Sequence, residues 1–157
     1  MIMMLNFRWA NLDDLELLVE LRVRDLKMFS DRTISLQTIN KIRDFYKTGI
    51  INNTCFTMLG FKDELLVATG TLYLYTIMPS NENPTGIMGQ LTNIWVADKF
   101  RNQGIATRIL NELLNLARDK CGMVCLNSSD EAISLYYKLG FKNNNKNLIR
   151  QWDNNDF

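Results

Sequence analysis

Apolar residues recur along this chain with two different periods, which together predict a mixture of helices and strands. Asn11 is a suitable N-terminal cap for a first helix, and an apolar stripe beginning at Ile105 predicts a long third helix. Segments rich in β-branched and aromatic residues predict strands, and the tripeptide KDE at 62–64 predicts a hairpin turn between two of them. The predicted strands are 2–8, 54–61, 65–77, 87–97 and 123–128, with a last hairpin in 141–152 that turns at Asn143–Asn145, and the predicted helices are 11–29, 35–47, 105–117 and 130–139.

The order of these elements predicts an α/β (α+β) fold. A run of antiparallel strands followed by a β-α-β-α pattern is typical of a mixed sheet with helices on its faces. The chain has 157 residues, a length that predicts a single domain over residues 1–157 with a sizeable core.

Charge and cysteine content narrow the class of function. Eighteen basic and 17 acidic residues give a net charge of +1, which supports neither a nucleic acid nor a membrane as partner. The N-terminal residues lack the basic start and the small-residue cleavage site of a signal peptide. Three cysteines, an odd number without framework spacing, predict free buried thiols in a reducing, cytoplasmic compartment.

The chain contains no histidine, and this excludes several catalytic chemistries at once. The commonest zinc ligand sets, the Ser-His-Asp triad and the Cys-His pair all require histidine. We therefore predict that the site holds no metal.

The stretch KFRNQGIATRIL, residues 99–110, contains the most informative local pattern. Arg101, Gly104 and Ala106 stand between a predicted strand and an amphipathic helix. Small residues allow an anion to approach the unpaired amides at a helix N-terminus, although an ordinary helix cap would produce the same short string. The pattern is neither the nucleotide P-loop nor the three-glycine dinucleotide fingerprint.

Two blocks of the sequence resemble the GNAT acyltransferase superfamily. The first block, NIWVADKFRNQGIATRILNELLNLAR, places Arg101, Gly104 and Ala106 at the three positions of that family's Arg/Gln-x-x-Gly-x-Gly/Ala motif. The second block, AISLYYKLGF at 132–141, is similar to the family's later helix and the strand that follows it. Both blocks stand in the family's order and together cover residues 90–142.

The resemblance implies a GNAT fold, with a mixed, mostly antiparallel sheet of six to seven strands, splayed between strands 4 and 5, and four helices. Acetyl-CoA would serve as acyl donor and lie in the splayed gap. Its pantetheine arm would pair with the backbone of Ile94, Trp95 and Val96, and Ser129 would cap the last helix or bond the cofactor arm. Its pyrophosphate would be surrounded by Arg101, Asn102, Gln103, Gly104, Ile105, Ala106 and Thr107.

The resemblance also implies a chemical role for Tyr136. A neutral amine would attack the thioester, a strand amide near Val96 would stabilise the oxyanion, and Tyr136 would protonate the departing thiolate as general acid. The base stays open between a water relay and one of four carboxylates: Glu20, Asp25, Glu82 and Asp98. Arg22 and Arg24 face either an acidic acceptor or solvent, and a solvated helix face is the favoured interpretation.

These implications favour an acetyl-CoA-dependent N-acetyltransferase acting on a primary amine of a small molecule or peptide. The alternative is a non-catalytic acyl-CoA-binding sensor or scaffold module, and a transferase for a larger acyl group is a third possibility. Family analogy also implies a homodimer.

Overall fold

The computed structural model describes residues 4–144 and 146–153, and the chain divides into two compact units, Met1–Asn127 and Ser128–Phe157. The first unit contains five strands and three α-helices among its described residues, and the second contains one helix. In chain order the elements are β1 (Asn6–Trp9), α1 (Leu15–Phe29), α2 (Leu36–Ile51), β2 (Cys55–Lys62), β3 (Leu65–Thr76), β4 (Ile87–Val96), α3 (Ile105–Arg118), β5 (Met123–Cys125) and α4 (Ile133–Lys138).

The five strands form one sheet in the order β1-β2-β3-β4-β5. All neighbouring pairs are antiparallel except β4 and β5, which are parallel. This confirms the predicted mixed, mostly antiparallel sheet, and the four α-helices of the described residues match the predicted number.

The prediction of six to seven strands is wrong for the described residues, because residues 141–144 and 146–152 form no strand. Leu148 and Ile149 are 92% and 85% exposed, so this segment has no buried apolar face that would favour a hairpin. The predicted turn at Asn143–Asn145 includes Asn145, which lies outside the described residues, as do residues 2 and 3 of the predicted first strand.

Strand β5 pairs with β4 only at Met88, Gly89 and Gln90. From Leu91 to Val96, β4 keeps its pairing with β3, but no described strand pairs with its other edge. The sheet is therefore open along this part of β4, as a splay between strands 4 and 5 predicts.

Helices cover both faces of the sheet in the first unit. Thr71 is buried and bonds Thr57 on the face covered by α1 and α2. The neighbouring Gly70 faces α3, where an added Cβ would lie 2.6 Å from the Cγ2 of Ile109. Successive strand residues point to opposite faces, so α3 lies opposite α1 and α2, and its close approach requires a residue without a side chain at 70.

The local signals for the first helix are confirmed. Asn11 caps a short 3-10 turn at Leu12–Asp14, and its side chain accepts a hydrogen bond from the amide of Asp13 at 2.8 Å. The Asp14 carboxylate accepts from the Asn11 amide at 2.9 Å, which completes a reciprocal cap before α1. The second helix runs to Ile51, beyond its predicted end at residue 47.

None of the helices in the described ranges is both long enough and apolar enough to cross a bilayer.

Candidate active site

The connection from β4 to α3 ends in an exposed helix N-terminus. After a 3-10 turn at Asp98–Phe100, Asn102 and Gly104 adopt left-handed backbone angles, with φ of 61° and 78°. Gly104 is the N-cap of α3, and it supplies no side-chain oxygen to the first-turn amides. The first turn also carries no acidic residue. The amides of this turn are therefore left with the partial positive charge that attracts anions.

Gly104 leaves space above these amides. Apart from Gly104 itself and its two chain neighbours, the described residues place no heavy atom within 4 Å of the position that its Cβ would take. The left-handed angle favours glycine, and because glycine adds no side chain, the space stays open to an approaching anion.

The Arg101 side chain connects this loop to the end of β4 by a hydrogen bond. Its Nε donates to the carbonyl oxygen of Val96 at 3.2 Å, and its Nη2 lies 3.0 Å from the Asp98 carboxylate. Both side chains of this ion pair are exposed, so the pair itself contributes little stability. The bond to Val96 links the loop to the open strand edge.

Residues 94–96 form the end of that open edge. Trp95 pairs with Thr69 of β3, and Val96 pairs with Ala68. No described strand pairs with the opposite edge here, although the Val96 carbonyl oxygen accepts from Arg101. An edge without a strand partner is where a ligand can add to a sheet as a strand would. The Arg24 guanidinium lies 4.1 Å from the centre of the Trp95 ring, which holds this side chain by a cation–π contact.

A β-bulge interrupts β4 just before this segment. Thr92 pairs with Thr71 and Trp95 pairs with Thr69, so Asn93 and Ile94 both stand opposite Gly70. Asn93 has a φ of 54°, a left-handed angle that asparagine tolerates better than most residues. The bulge turns Asn93 toward the same cavity as Thr92.

This cavity has a volume of about 280 Å³ and lies between α1, α2 and the sheet. We call it the α1–α2 pocket. It is lined by Arg22, Thr38, Lys41, Ile42, Phe45, Tyr46, Thr71, Tyr73, Thr92 and Asn93.

A chain of hydrogen bonds runs along the floor of the α1–α2 pocket. The Arg22 Nη1 donates to the Oδ1 of Asn93 at 3.0 Å, and the Nδ2 of Asn93 donates to the Tyr46 hydroxyl at 2.9 Å. Burial raises the pKa of Tyr46 to about 12 and also raises the pKa of Tyr73. Both phenols are therefore protonated at neutral pH, and neither serves as a base there.

The comparisons with known proteins decide the family. The GNAT acetyltransferase domain matches residues 61–143, more than half of the chain. The chain belongs to the GNAT acetyltransferase family.

Solved structures agree with this GNAT assignment. A predicted acetyltransferase from Clostridium acetobutylicum, solved with acetyl-CoA, is 26% identical, with a TM-score of 0.85 over 94% of this chain and 96% of that chain. A GCN5-related N-acetyltransferase from Ralstonia eutropha is 18% identical, with a TM-score of 0.77 over 94% and 99% of the two chains. An aminoglycoside N-acetyltransferase in complex with CoA is 14% identical, with a TM-score of 0.70 over 95% of each chain. The last two likenesses show the fold alone, and no curated protein sequence matches significantly.

In this GNAT chain the four carboxylates considered as bases have different surroundings. Glu20 and Glu82 are exposed, and Asp98 is exposed and paired with Arg101. Asp25 is half-buried, and burial raises its pKa, although Arg22 and Arg24 partly oppose this. Asp25 is 3.3 Å from Arg22, which lines the α1–α2 pocket, although Asp25 itself does not line it.

The second unit carries Ser129 and Tyr136. Helix α4 begins at Ile133 with Ala132 as N-cap and no side-chain cap, so the predicted capping by Ser129 is wrong. The carbonyl oxygen of Ser129 accepts from the Ala132 amide at 3.2 Å, so Ser129 adds a backbone turn before the helix. Tyr136 is 7% exposed, and burial raises the pKa of its phenol. Its ring packs edge-on against Phe141 at 5.8 Å.

The three cysteines are free. Cys55 is buried and burial raises its pKa to about 12. Cys121 and Cys125 are only half-buried, and the thiol of Cys125 donates to the Oε1 of Gln90 at 3.1 Å. The expectation of buried thiols thus holds fully only for Cys55.

Sequence reasoning missed most of the α1–α2 pocket. The interpretation of Arg22 as part of a solvated helix face is wrong, because its half-buried guanidinium bonds Asn93 and lines the pocket. The sequence predicts no site role for Asn93 or Tyr46. A polar asparagine inside a predicted β4 was the available signal, since asparagine is uncommon in strands and tolerates the left-handed angle of a bulge.

Proposed function

We propose that this GNAT protein is an N-acetyltransferase that moves the acetyl group of acetyl-CoA to a primary amine of a small molecule or peptide. The proposed reaction is a direct attack within a ternary complex. The observation that carries the proposal is the N-terminus of α3, where Gly104 leaves the first-turn amides uncapped and open to an anion. A diphosphate is an anion suited to such a helix end.

The proposed donor site combines this helix end with the open edge of β4. The pantetheine arm would bond the backbone of Ile94, Trp95 and Val96, where β5 no longer pairs with β4. The pyrophosphate would be held by Arg101, Asn102, Gln103, Gly104, Ile105, Ala106 and Thr107. For Arg101 this role adds to its bond with the Val96 carbonyl oxygen, and Ser129 remains a proposed contact of the cofactor arm.

The proposed chemistry needs two proton movements. The neutral amine nitrogen attacks the thioester carbon, the new C–N bond forms and the C–S bond breaks. The amine loses a proton to a base or a water relay, and the thiolate gains one from Tyr136. The buried phenol of Tyr136 has a raised pKa and therefore keeps its proton at neutral pH, as a general acid must.

A panel of primary amines incubated with acetyl-CoA tests the proposal, with released CoA measured chromatographically because the protein has its own free thiols. The expected result is CoA release that depends on the amine. If acetyl-CoA binds but no amine raises CoA release above background hydrolysis, the non-catalytic acyl-CoA-binding module is the better description. A parallel series with propionyl-CoA and butyryl-CoA tests the preference for acetyl.

Two accompanying predictions concern the protein's environment. Family analogy implies a homodimer, which light scattering would test. The three free cysteines favour a reducing, cytoplasmic location.

A further inference from the structure

The charges that line the α1–α2 pocket have one sign. Arg22 and Lys41 are the ionised residues of its lining, and none of the ten described lining residues is an aspartate or a glutamate. Asp25 forms an ion pair with Arg22 from outside the lining. A ligand with several positive charges would meet two cations here and no carboxylate, which is unfavourable in a partly buried site.

Arg22 keeps hydrogen-bonding capacity for a ligand. Its Nη1 is shared by three acceptors, Asp25 at 3.3 Å, Thr92 at 3.4 Å and Asn93 at 3.0 Å. Its Nε and Nη2 donate to no residue that the structure describes. The contacts of Nη1 with three acceptors orient the guanidinium before a ligand binds. The Nε–H and Nη2–H groups lie side by side on one edge of a guanidinium, which is a geometry that suits an oxyanion.

The remainder of the pocket is aromatic and apolar. The rings of Phe45 and Tyr73 pack edge-on at 5.1 Å, and Phe45 is 50% exposed although it belongs to the lining. Ile42 completes this side. The volume of about 280 Å³ is at the lower limit of ligand pockets, which are typically about 300–1,000 Å³, so the ligand is small.

We propose that the α1–α2 pocket is the acceptor subsite and that it takes a small amine bearing an anionic group, a carboxylate or a phosphate, together with an apolar side chain. Arg22 and Lys41 bind the anion, and Phe45 and Tyr73 contact the apolar part. This inference rests on the proposed N-acetyltransferase function for its reaction, but the binding preference is testable without turnover. The proposal also predicts that polycationic amines are poor acceptors for this protein.

Matched products of the reaction serve as binding probes in calorimetry. N-acetyl-L-phenylalanine and N-acetyl-L-phenylalaninamide differ in the carboxylate, and N-acetyl-O-phosphoethanolamine and N-acetylethanolamine differ in the phosphate. The charged member of at least one pair is expected to bind roughly ten- to hundredfold more tightly, as one or two charge-assisted hydrogen bonds predict. The pair with the larger ratio identifies which anion the pocket prefers.

Substitutions in the lining test whether the α1–α2 pocket is the source of the preference for charged probes. Replacing Arg22 alone would leave the half-buried Asp25 unpaired, so the double variant Arg22→Gln/Asp25→Asn removes both charges together and should reduce the charged-to-neutral ratio to near one. Arg22→Lys should retain part of the ratio, because it keeps the charge and loses the planar fork. Lys41→Gln should lower the ratio severalfold. Lys47→Gln, an exposed lysine on the same helix outside the lining, is the matched control and should leave the ratio unchanged.

The inference is overturned if both neutral probes bind as tightly as their charged partners, if none of the four probes binds, or if the double variant keeps the wild-type ratio. Turnover is scored separately with L-phenylalanine, L-phenylalaninamide, O-phosphoethanolamine and spermidine as acceptors. Charge-selective binding that the double variant abolishes, without turnover of any amine, would support the subsite and contradict the transferase. Faster turnover of spermidine than of both anionic amines would contradict the subsite and support the transferase.

Discussion

The loop at residues 101–107 and the α1–α2 pocket differ in which atoms they present to a ligand. At the loop, backbone amides stand at an exposed helix end, and Gly104 contributes open space. In the pocket, side chains from α1, α2, β3 and β4 converge, and Arg22, Asn93 and Tyr46 hold one another by hydrogen bonds. A site made of backbone amides comes from one short stretch of sequence. A site made of side chains takes its residues from distant parts of the chain. We therefore expect substitutions in the two regions to separate binding of the donor from binding of the acceptor.

The largest expected effect follows from placing a negative charge in the loop. Gly104→Glu should weaken CoA binding by roughly a thousandfold, since two unit charges about 4 Å apart near a protein surface repel by about 4 kcal/mol. Calorimetric titration with CoA measures the change, and added salt should reduce it.

Gly104→Gln is the matched control for this substitution. It has nearly the same bulk and the same backbone cost at a φ of 78°, which is about 1–2 kcal/mol for a residue other than glycine. The difference between the two variants isolates the charge. Equal affinities of Gly104→Glu and Gly104→Gln for CoA would place the diphosphate elsewhere.

The second effect concerns turnover alone. Tyr136→Phe should lower kcat by roughly a hundredfold or more, because general acid catalysis typically contributes about that much, while the Kd for CoA stays at the wild-type value. Tyr137→Phe alters the neighbouring tyrosine, which is 47% exposed, and should leave kcat nearly unchanged. A Tyr136→Phe enzyme with wild-type kcat would remove the phenol from the mechanism.

The same difference between the two regions explains how far the sequence could predict the structure. The period of apolar residues predicted α3, and the motif placed Arg101, Gly104 and Ala106 at its start, because a helix entry is a local feature. The motif gives no reason to expect Asn93 beside Tyr46, because these residues are 47 positions apart and Asn93 lies in the β4 bulge. Pairing across such a distance depends on register and packing, which a single sequence does not encode locally.

The strand count failed for a related reason. Residues 141–152 contain Phe141, Leu148, Ile149 and Trp152 among polar residues, and this composition favoured a hairpin. A strand is stabilised only when its apolar side is buried against other elements. Leu148, Ile149 and Trp152 are exposed, and the segment forms no strand within its described residues.

The third prediction tests the side-chain character of the α1–α2 pocket. Asn93→Ala removes both hydrogen bonds of the buried amide and places alanine at a φ of 54°. Unsatisfied buried partners cost about 1–3 kcal/mol and the left-handed angle about 1–2 kcal/mol, so the free energy of unfolding should fall by about 3 kcal/mol. Urea denaturation measures this change.

Asn93→Gly separates the two contributions of this residue. Glycine accepts the left-handed angle, so only the loss of hydrogen bonds remains, and the fall should be about 2 kcal/mol. Both folded variants should keep the Kd for CoA and raise the KM for the acceptor. If both variants have the same midpoint urea concentration as the wild-type protein, the hydrogen bonds of Asn93 contribute no stability.

The smallest effect comes from one hydroxyl of the same network. Tyr46→Phe removes the acceptor of the Asn93 amide and should lower the free energy of unfolding by about 1 kcal/mol at pH 8. The pKa of Tyr46 is raised to about 12, against about 10 for an unfolded tyrosine. Stability from this group is therefore complete below pH 10 and is lost as the pH rises from 10 to 12, because the unfolded chain releases the proton first.

Other buried groups titrate in this pH range in both proteins. The difference between the wild-type and Tyr46→Phe free energies of unfolding, measured from pH 8 to 12, therefore isolates Tyr46. The deficit of the variant should shrink and then reverse across this range, since phenylalanine has no proton to lose and a rise of about two pKa units corresponds to more than about 1 kcal/mol. A deficit that stays constant to pH 12 would show that the Tyr46 hydroxyl is not held protonated by the α1–α2 pocket.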